Sequence, residues 1–205
     1  MSCIINIETS TNVCSLTVSQ DGADIFTKED HSGPNHAVKL GEFVDEGLSF
    51  ADSHAIPVDA VAVSCGPGSY TGLRIGVSMA KGICYGRGVK LIAVPTLELM
   101  AVPVLLHHEI EEDALLCPMI DARRMEVYAA VYNRRLQEVR KVQADVVDAD
   151  LQGIPRQGAR VFLRQRSREM HGDHKPSQCP HYKGYRTSVE IHVPAGREED
   201  SRGEI

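Results

Sequence analysis

The chain is 205 residues long, 42% hydrophobic and 24% charged, enough for one to one and a half compact domains and with no apolar run of the roughly 18 residues that a membrane helix needs. Its formal charge of -6 argues against a protein that grips nucleic acid unaided, because phosphate neutralisation dominates such binding. Met1–Glu8 lacks a basic segment ahead of an apolar one, so no secretory leader is expected, and six cysteines without a CxxC pair read as reduced thiols of a cytoplasmic protein.

In chain order, residues 4–7 and 14–18 read as strands joined by a turn at Thr9–Asn12, and Gln20-Asp21-Gly22 turns the chain into a third strand over 23–27. From Asn35 the apolar positions Val38, Leu40, Phe43, Val44 and Leu48 fall near helical spacing, and Asp52 and the Pro57 region end the pattern. A short buried strand over 59–65, a helix over 70–85 and an apolar strand over 90–94 form a strand-helix-strand unit, which requires parallel pairing. A further helix over 96–106 precedes the acidic segment 107–113, and two more strands, 115–120 and 126–132, flank Asp121-Ala122-Arg123-Arg124. No repeat recurs at a fixed period, and the order of elements predicts an α/β layer fold with a mixed sheet and flanking helices.

The strongest local feature is Gly66-Pro67-Gly68-Ser69-Tyr70-Thr71-Gly72-Leu73-Arg74-Ile75-Gly76, placed between a strand and a helix. Unpaired N–H groups at a helix start make such a loop an anion site in principle. No Lys-Ser or Lys-Thr follows at P-loop spacing, and the pattern is GxGxxxG with no acid closing the strand 90–94, so neither nucleotide fingerprint is met. The alternative is structural: Gly66 and Gly68 make a tight turn, Ser69 or Thr71 caps the helix, and Gly72 and Gly76 permit a close approach to a neighbour.

Taken together, Ile7–Thr11, His31-Ser32 with His36, the glycine loop 66–76, Pro95–Glu98 and Ile120–Arg124 resemble the bacterial TsaB (YeaZ) family, in that order and over residues 1–150. The resemblance implies an actin-like or Hsp70-like ATPase (ASKHA) fold. It also implies a non-catalytic subunit that binds and supports TsaD, the related subunit that transfers the threonylcarbamoyl group to adenosine of tRNA. A TsaE-like ATPase subunit joins them, a second copy of the chain is a further partner, and tRNA is reached only through the complex. By the same resemblance the helices 35–52 and 70–86 form the subunit interface, through His36, Leu40, Phe43, Val44, Leu73, Gly76, Val77 and Ala80.

The competing function is an M22-type metal-dependent glycoprotease or a nucleotide-hydrolysing enzyme. His31 and His36 are five residues apart across Gly33-Pro34, where two imidazoles do not share a helix face, so they read as a surface or capping pair; no cofactor or metal is expected. Glu8, Thr9 and Ser10 offer a carboxylate and hydroxyls after the first strand, without a glycine for close approach to phosphate. With Gly66, Gly68, Ser69, Thr71, Gly72 and Arg74 they make a ligand-binding or a structural motif, and Asp121, Arg123 and Arg124 make either a polar clamp for a ligand or a strand-end turn.

Composition breaks near residue 150. Lys+Arg against Asp+Glu is 12 against 21 over 1–150 and 10 against 7 over 151–205, so net charge swings from -9 to +3. The reading is a first lobe over 1–103, the start of a second, incomplete lobe over 104–150, and an atypical basic tail over 151–205. That tail is frame-shifted or disordered: shifting the frame by one base under freely chosen synonymous codons restores strand-forming aromatics, and the coding DNA decides the matter.

Overall fold

In a computed structural model, residues 1–146 other than Pro34 and Met125 are described, together with the strands at 160–165 and 189–192. The chain divides into two compact units, the first spanning Met1–Leu99 and the second beginning at Met100.

The first unit is built on a five-stranded sheet. Strands β1 (Cys3–Glu8), β2 (Cys14–Gln20) and β3 (Ala23–Asp30) form the expected antiparallel meander. Helix α1 (His36–Ser53) leads to β4 (Ala60–Ser64), and α2 (Tyr70–Arg87) leads to β5 (Lys90–Val94), both strands running parallel to β1. The spatial order is β3-β2-β1-β4-β5. Alternation decides which side is covered: Cys3, Ile5 and Ile7 of β1, Leu16 and Val18 of β2 and Val61 and Val63 of β4 pack with Leu40, Phe43 and Val44 of α1 and Ala80 and Ile83 of α2. Gly88, at φ 68, caps α2 in the left-handed conformation that glycine tolerates best. Arg87, one residue earlier, clasps Asp52 near the end of α1 with two hydrogen bonds of 2.8 and 2.6 Å. Helix α3 (Thr96–His107) follows, with Leu97, Met100, Ala101 and Val104 buried at helical spacing.

The second unit repeats this plan without a sequence repeat. Strands β6 (Leu115–Arg123), β7 (Glu126–Tyr132) and β8 (Glu138–Val146) are an antiparallel meander, and β9 (Arg160–Gln165) pairs parallel with β6. The sequence β8-β7-β6-β9 thus matches β3-β2-β1-β4, and the plans diverge at β10 (Val189–His192), which is antiparallel to β9. Both sheets are mixed, and α1 and α2 flank the first, as the order of elements predicted. The tail contributes β9 and β10; the remainder of the frame-shift or disorder expectation lies outside the described residues.

Cys3, Cys14, Cys65 and Cys84 are free thiols, with Cys3 and Cys14 buried and Cys65 exposed. Burial, followed by the nearby Asp30 and Glu8 carboxylates, pushes the Cys14 thiol from 9.0 up to about 11. A raised folded-state value favours the protonated form in the native protein. The stabilisation is therefore complete below pH 9 and drains away as pH rises towards 11. Native alkylation with iodoacetamide at pH 8, followed by mass spectrometry, is expected to mark Cys65 well before Cys3 and Cys14. Equal labelling of Cys14 and Cys65 in folded protein contradicts this assignment.

Candidate functional site

The glycine loop and the turn after β1 close on each other. Ser10 N–H donates to Glu8 Oε1 at 2.5 Å, and Ser64 at the end of β4 donates its hydroxyl to the same oxygen at 2.9 Å. Glu8 is 7% exposed, so these donors hold a buried carboxylate between neighbouring strands. Ser69 N–H reaches back to the Ser10 carbonyl at 2.6 Å, tying the loop to the turn. The loop's far side is fixed by Thr96, which accepts from Gly66 N–H at 3.2 Å and donates its own N–H to the Gly66 carbonyl at 2.9 Å. Of the two expected caps, Ser69 serves: its hydroxyl accepts from Gly72 N–H at 3.3 Å, whereas Thr71 is exposed.

The glycines are needed for proximity. A Cβ on Gly68 would lie 2.5 Å from the Ser10 carbonyl oxygen, on Gly72 2.0 Å from the Thr9 carbonyl oxygen, and on Gly76 2.2 Å from Thr9 Oγ1. The first turns of α2 are therefore seated on Thr9 and Ser10, which are themselves buried. Among the described residues Thr9 Oγ1 and Ser10 Oγ have no hydrogen-bond partner. A phosphate entering here would have to displace protein backbone from the helix start. Of the two readings open for this motif, the geometry favours the structural one, with Glu8, Thr9, Ser10, Gly68, Ser69 and Gly72 brought together and Gly66, at φ 107, forming the turn.

The histidines separate. His36 is 5% exposed, with Nε2 2.8 Å from the Thr11 carbonyl, so of the surface or capping pair expected it is the buried member and braces the same turn from α1. His31 pairs at the surface with Glu29, Nε2 to Oε2 3.0 Å. Among the described residues no three His, Cys, Asp or Glu side chains converge as a metal set would.

The residues expected to meet a partner are also relocated. Leu40 and Ala80 are 0% exposed, Phe43 and Val44 7%, and Gly76 and His36 are buried as well, so six of the eight belong to the first unit's own interior. The physical reason is that an amphipathic helix has one apolar stripe, and the nearest sheet takes it. Leu73 and Val77 are half-buried. The outward faces carry different residues. On α2, Tyr70, Arg74, Lys81 and Tyr85 are exposed around Val77, with Tyr85 94% exposed and Arg74 stacked over the Tyr70 ring at 5.4 Å. On α1, Val38, Glu42, Asp45 and Asp52 are exposed. Sequence periodicity pointed to the apolar stripe; the outward face was legible only as its complement.

In the second unit, Asp121 Oδ1 accepts the Arg123 N–H at 2.7 Å, and Arg123 and Arg124 follow at φ 69 and 54. Left-handed backbone costs a side-chain-bearing residue about 1–2 kcal/mol. The turn is thus strained, and it is a strand-end turn in form, with both arginines exposed.

Three comparisons place the chain among known proteins. Residues 30–170 match the family model described as "TsaD: tRNA N6-adenosine threonylcarbamoyltransferase". The tRNA threonylcarbamoyladenosine biosynthesis protein TsaB of Bacillus subtilis (strain 168) is 31% identical over 129 residues, covering 63% of this chain and 54% of its own. TsaB of Escherichia coli (strain K12) is 31% identical over 131 residues, 64% of this chain and 55% of its own. The chain therefore spans about half the length of the curated relatives it matches. The solved structure of YeaZ from Pseudomonas aeruginosa superposes with TM-score 0.57 at 25% identity, over 70% of this chain and 66% of that one.

Proposed function

Because the chain belongs to the TsaB (YeaZ) family, we propose that it is a non-catalytic subunit of the machinery that makes threonylcarbamoyladenosine in tRNA, binding and supporting the TsaD-type transferase. The observation that carries this reading is the paired outward face of α1 and α2. Glu42, Asp45 and Asp52 make α1 acidic, while Arg74, Lys81 and Arg87 make α2 basic, and the Asp52–Arg87 clasp joins the helices side by side. A homologous helix pair related by a two-fold axis sets acidic α1 against basic α2 of the partner, twice. Tyr70, Val77 and Tyr85 supply the aromatic and apolar contact between the charges. A second copy of this chain satisfies the same geometry, and the TsaE-like ATPase and tRNA join through the assembled complex.

The filled glycine loop supports an accessory role over a nucleotide-hydrolysing one. In that competing reading the turn after β1 receives phosphate; here Thr9 and Ser10 are pressed under Gly68, Gly72 and Gly76. Among the described residues no helix is long and apolar enough to cross a membrane.

Size-exclusion chromatography with the purified transferase from the same source tests the proposal. Co-elution is expected, with threonylcarbamoyl transfer to tRNA restored in the complex and absent from this chain alone. A folded chain that elutes apart from the transferase, or one that transfers alone, overturns it.

A further inference from the structure

Charge is unevenly distributed along the chain. Residues 1–114 hold six Lys/Arg against fifteen Asp/Glu, a net -9, whereas residues 115–146, the meander β6-β7-β8, hold six against four, a net +2. Four of those six are two arginine pairs at opposite ends of β7: Arg123-Arg124 in the β6–β7 turn and Arg134-Arg135 in the β7–β8 turn. All four are exposed, and among the described residues no carboxylate forms an ion pair with any of them, although Glu126 and Glu138 lie close in sequence. By contrast, Arg74 is engaged with Tyr70, Arg87 with Asp52, and Arg140 with Asp145.

Both turns are held before any ligand arrives. Asp121 Oδ1 accepts the Arg123 backbone N–H at 2.7 Å. In the other turn Asn133 Oδ1 accepts from Arg135 N–H at 2.9 Å and from Gln137 N–H at 3.0 Å, and Asn133 Nδ2 donates to Gln137 Oε1 at 2.8 Å. Strained backbone at Arg123 and Arg124 therefore presents side chains that nothing described in the fold uses. The guanidinium fork is suited to phosphate oxygens, each pair giving planar, multiply donating contacts. The seven residues of β7 separate the tips by roughly 24 Å at about 3.4 Å per residue, farther than one nucleotide reaches but within the span of a folded polynucleotide.

We propose that Arg123-Arg124 and Arg134-Arg135 are RNA-contacting positions, two preformed tips that take backbone phosphates of the tRNA substrate. This rests on the subunit role proposed above, and it makes the chain a direct contributor to RNA binding. The net -9 of residues 1–114 keeps such contact weak outside a complex and strongly salt-dependent.

The test is titration of fluorescent tRNA with the full chain and with its complex with the transferase, across a salt series. Arg123→Asn/Arg124→Gly places residues that favour left-handed backbone in the turn, so its melting temperature is expected to rise by a few degrees while tRNA affinity falls about tenfold and the salt slope shrinks by about two contacts. Arg134→Gln/Arg135→Gln is expected to lose a similar amount without the thermal gain. Both variants are expected to co-elute with the transferase as wild type does. Unchanged tRNA affinity and slope in both variants overturn the proposal, and so does a loss of ATP binding with tRNA binding intact, which assigns the tips to a free nucleotide. Failure of the wild-type chain to co-elute is failure of the subunit role alone, because the chain's own titration still decides the arginines.

Discussion

Gly72→Ala is expected to lower the melting temperature of the chain by roughly 10 °C, and Gly82→Ala, ten residues along the same helix, to raise it slightly. The difference follows from what each new methyl group meets. At Gly72 an ideal Cβ falls 2.0 Å from the Thr9 carbonyl oxygen, a backbone atom, so relief demands moving α2 off the β1–β2 turn or moving the turn itself. Overpacking of that kind costs about 3 kcal/mol or somewhat more. At about 2–4 °C per kcal/mol for a chain of this size, that gives the stated fall. At Gly76 the obstacle is Thr9 Oγ1 at 2.2 Å, a side-chain atom that rotates away, so Gly76→Ala is expected to cost about half as much. Around Gly82 nothing lies within 4 Å, and alanine in an exposed helical position gains about 0.8–1 kcal/mol over glycine. Thermal melts of the three variants in one buffer give the order directly. A Gly72→Ala protein that melts with wild type overturns the close seating of α2 on Thr9.

The same residues show why parts of the molecule were legible in its sequence and parts were not. Each element through β7 has a local signature: period-two alternation in β1 and β2, a short apolar run bounded by turn residues in β4, and a cap and a terminal glycine around α2. Strand β8, Glu138–Val146, has none, because it is an edge strand exposed along most of its length and carries charged and polar residues on both faces. The repeated sheet order was equally hidden, since strand order depends on pairing between distant segments and the two units share no sequence period. At the site, the glycine spacing announced a close approach, yet it did not say to what. That Gly68, Gly72 and Gly76 are pressed against the protein's own Thr9–Ser10 turn is a long-range fact, and Ser64 as the partner of Glu8 is another. His36 illustrates the converse: its loop-side position left surface and capping roles open, and a single carbonyl, that of Thr11, holds the ring inside.

Leu40→Ala and Tyr85→Ala are expected to separate stability from assembly. Leu40 is fully buried between α1 and the first sheet, and its truncation is expected to cost about 2–5 kcal/mol through lost burial and the cavity left behind. Any weakening of transferase binding in that variant follows from unfolding, and it is expected to recover at low temperature where the lobe refolds. Tyr85 is 94% exposed, so its removal is expected to leave the melting temperature within a degree of wild type. On the proposed interface, however, Tyr85 lies one turn beyond Lys81 on the outward face of α2, where aromatic and basic side chains dominate binding energy, and its loss is expected to weaken association at least tenfold. Arg74→Glu combined with Lys81→Glu turns the basic face of α2 against the acidic face of the opposing helix and is expected to weaken it further, mainly by slowing encounter and most at low salt. Calorimetric titration with the transferase, beside a thermal melt of each variant, reads both quantities. If Leu40→Ala at a temperature where it is folded binds as poorly as Tyr85→Ala, the buried stripe reaches the partner after all. If Tyr85→Ala and the charge reversal both bind as wild type does, the outward faces of α1 and α2 are not the docking surface.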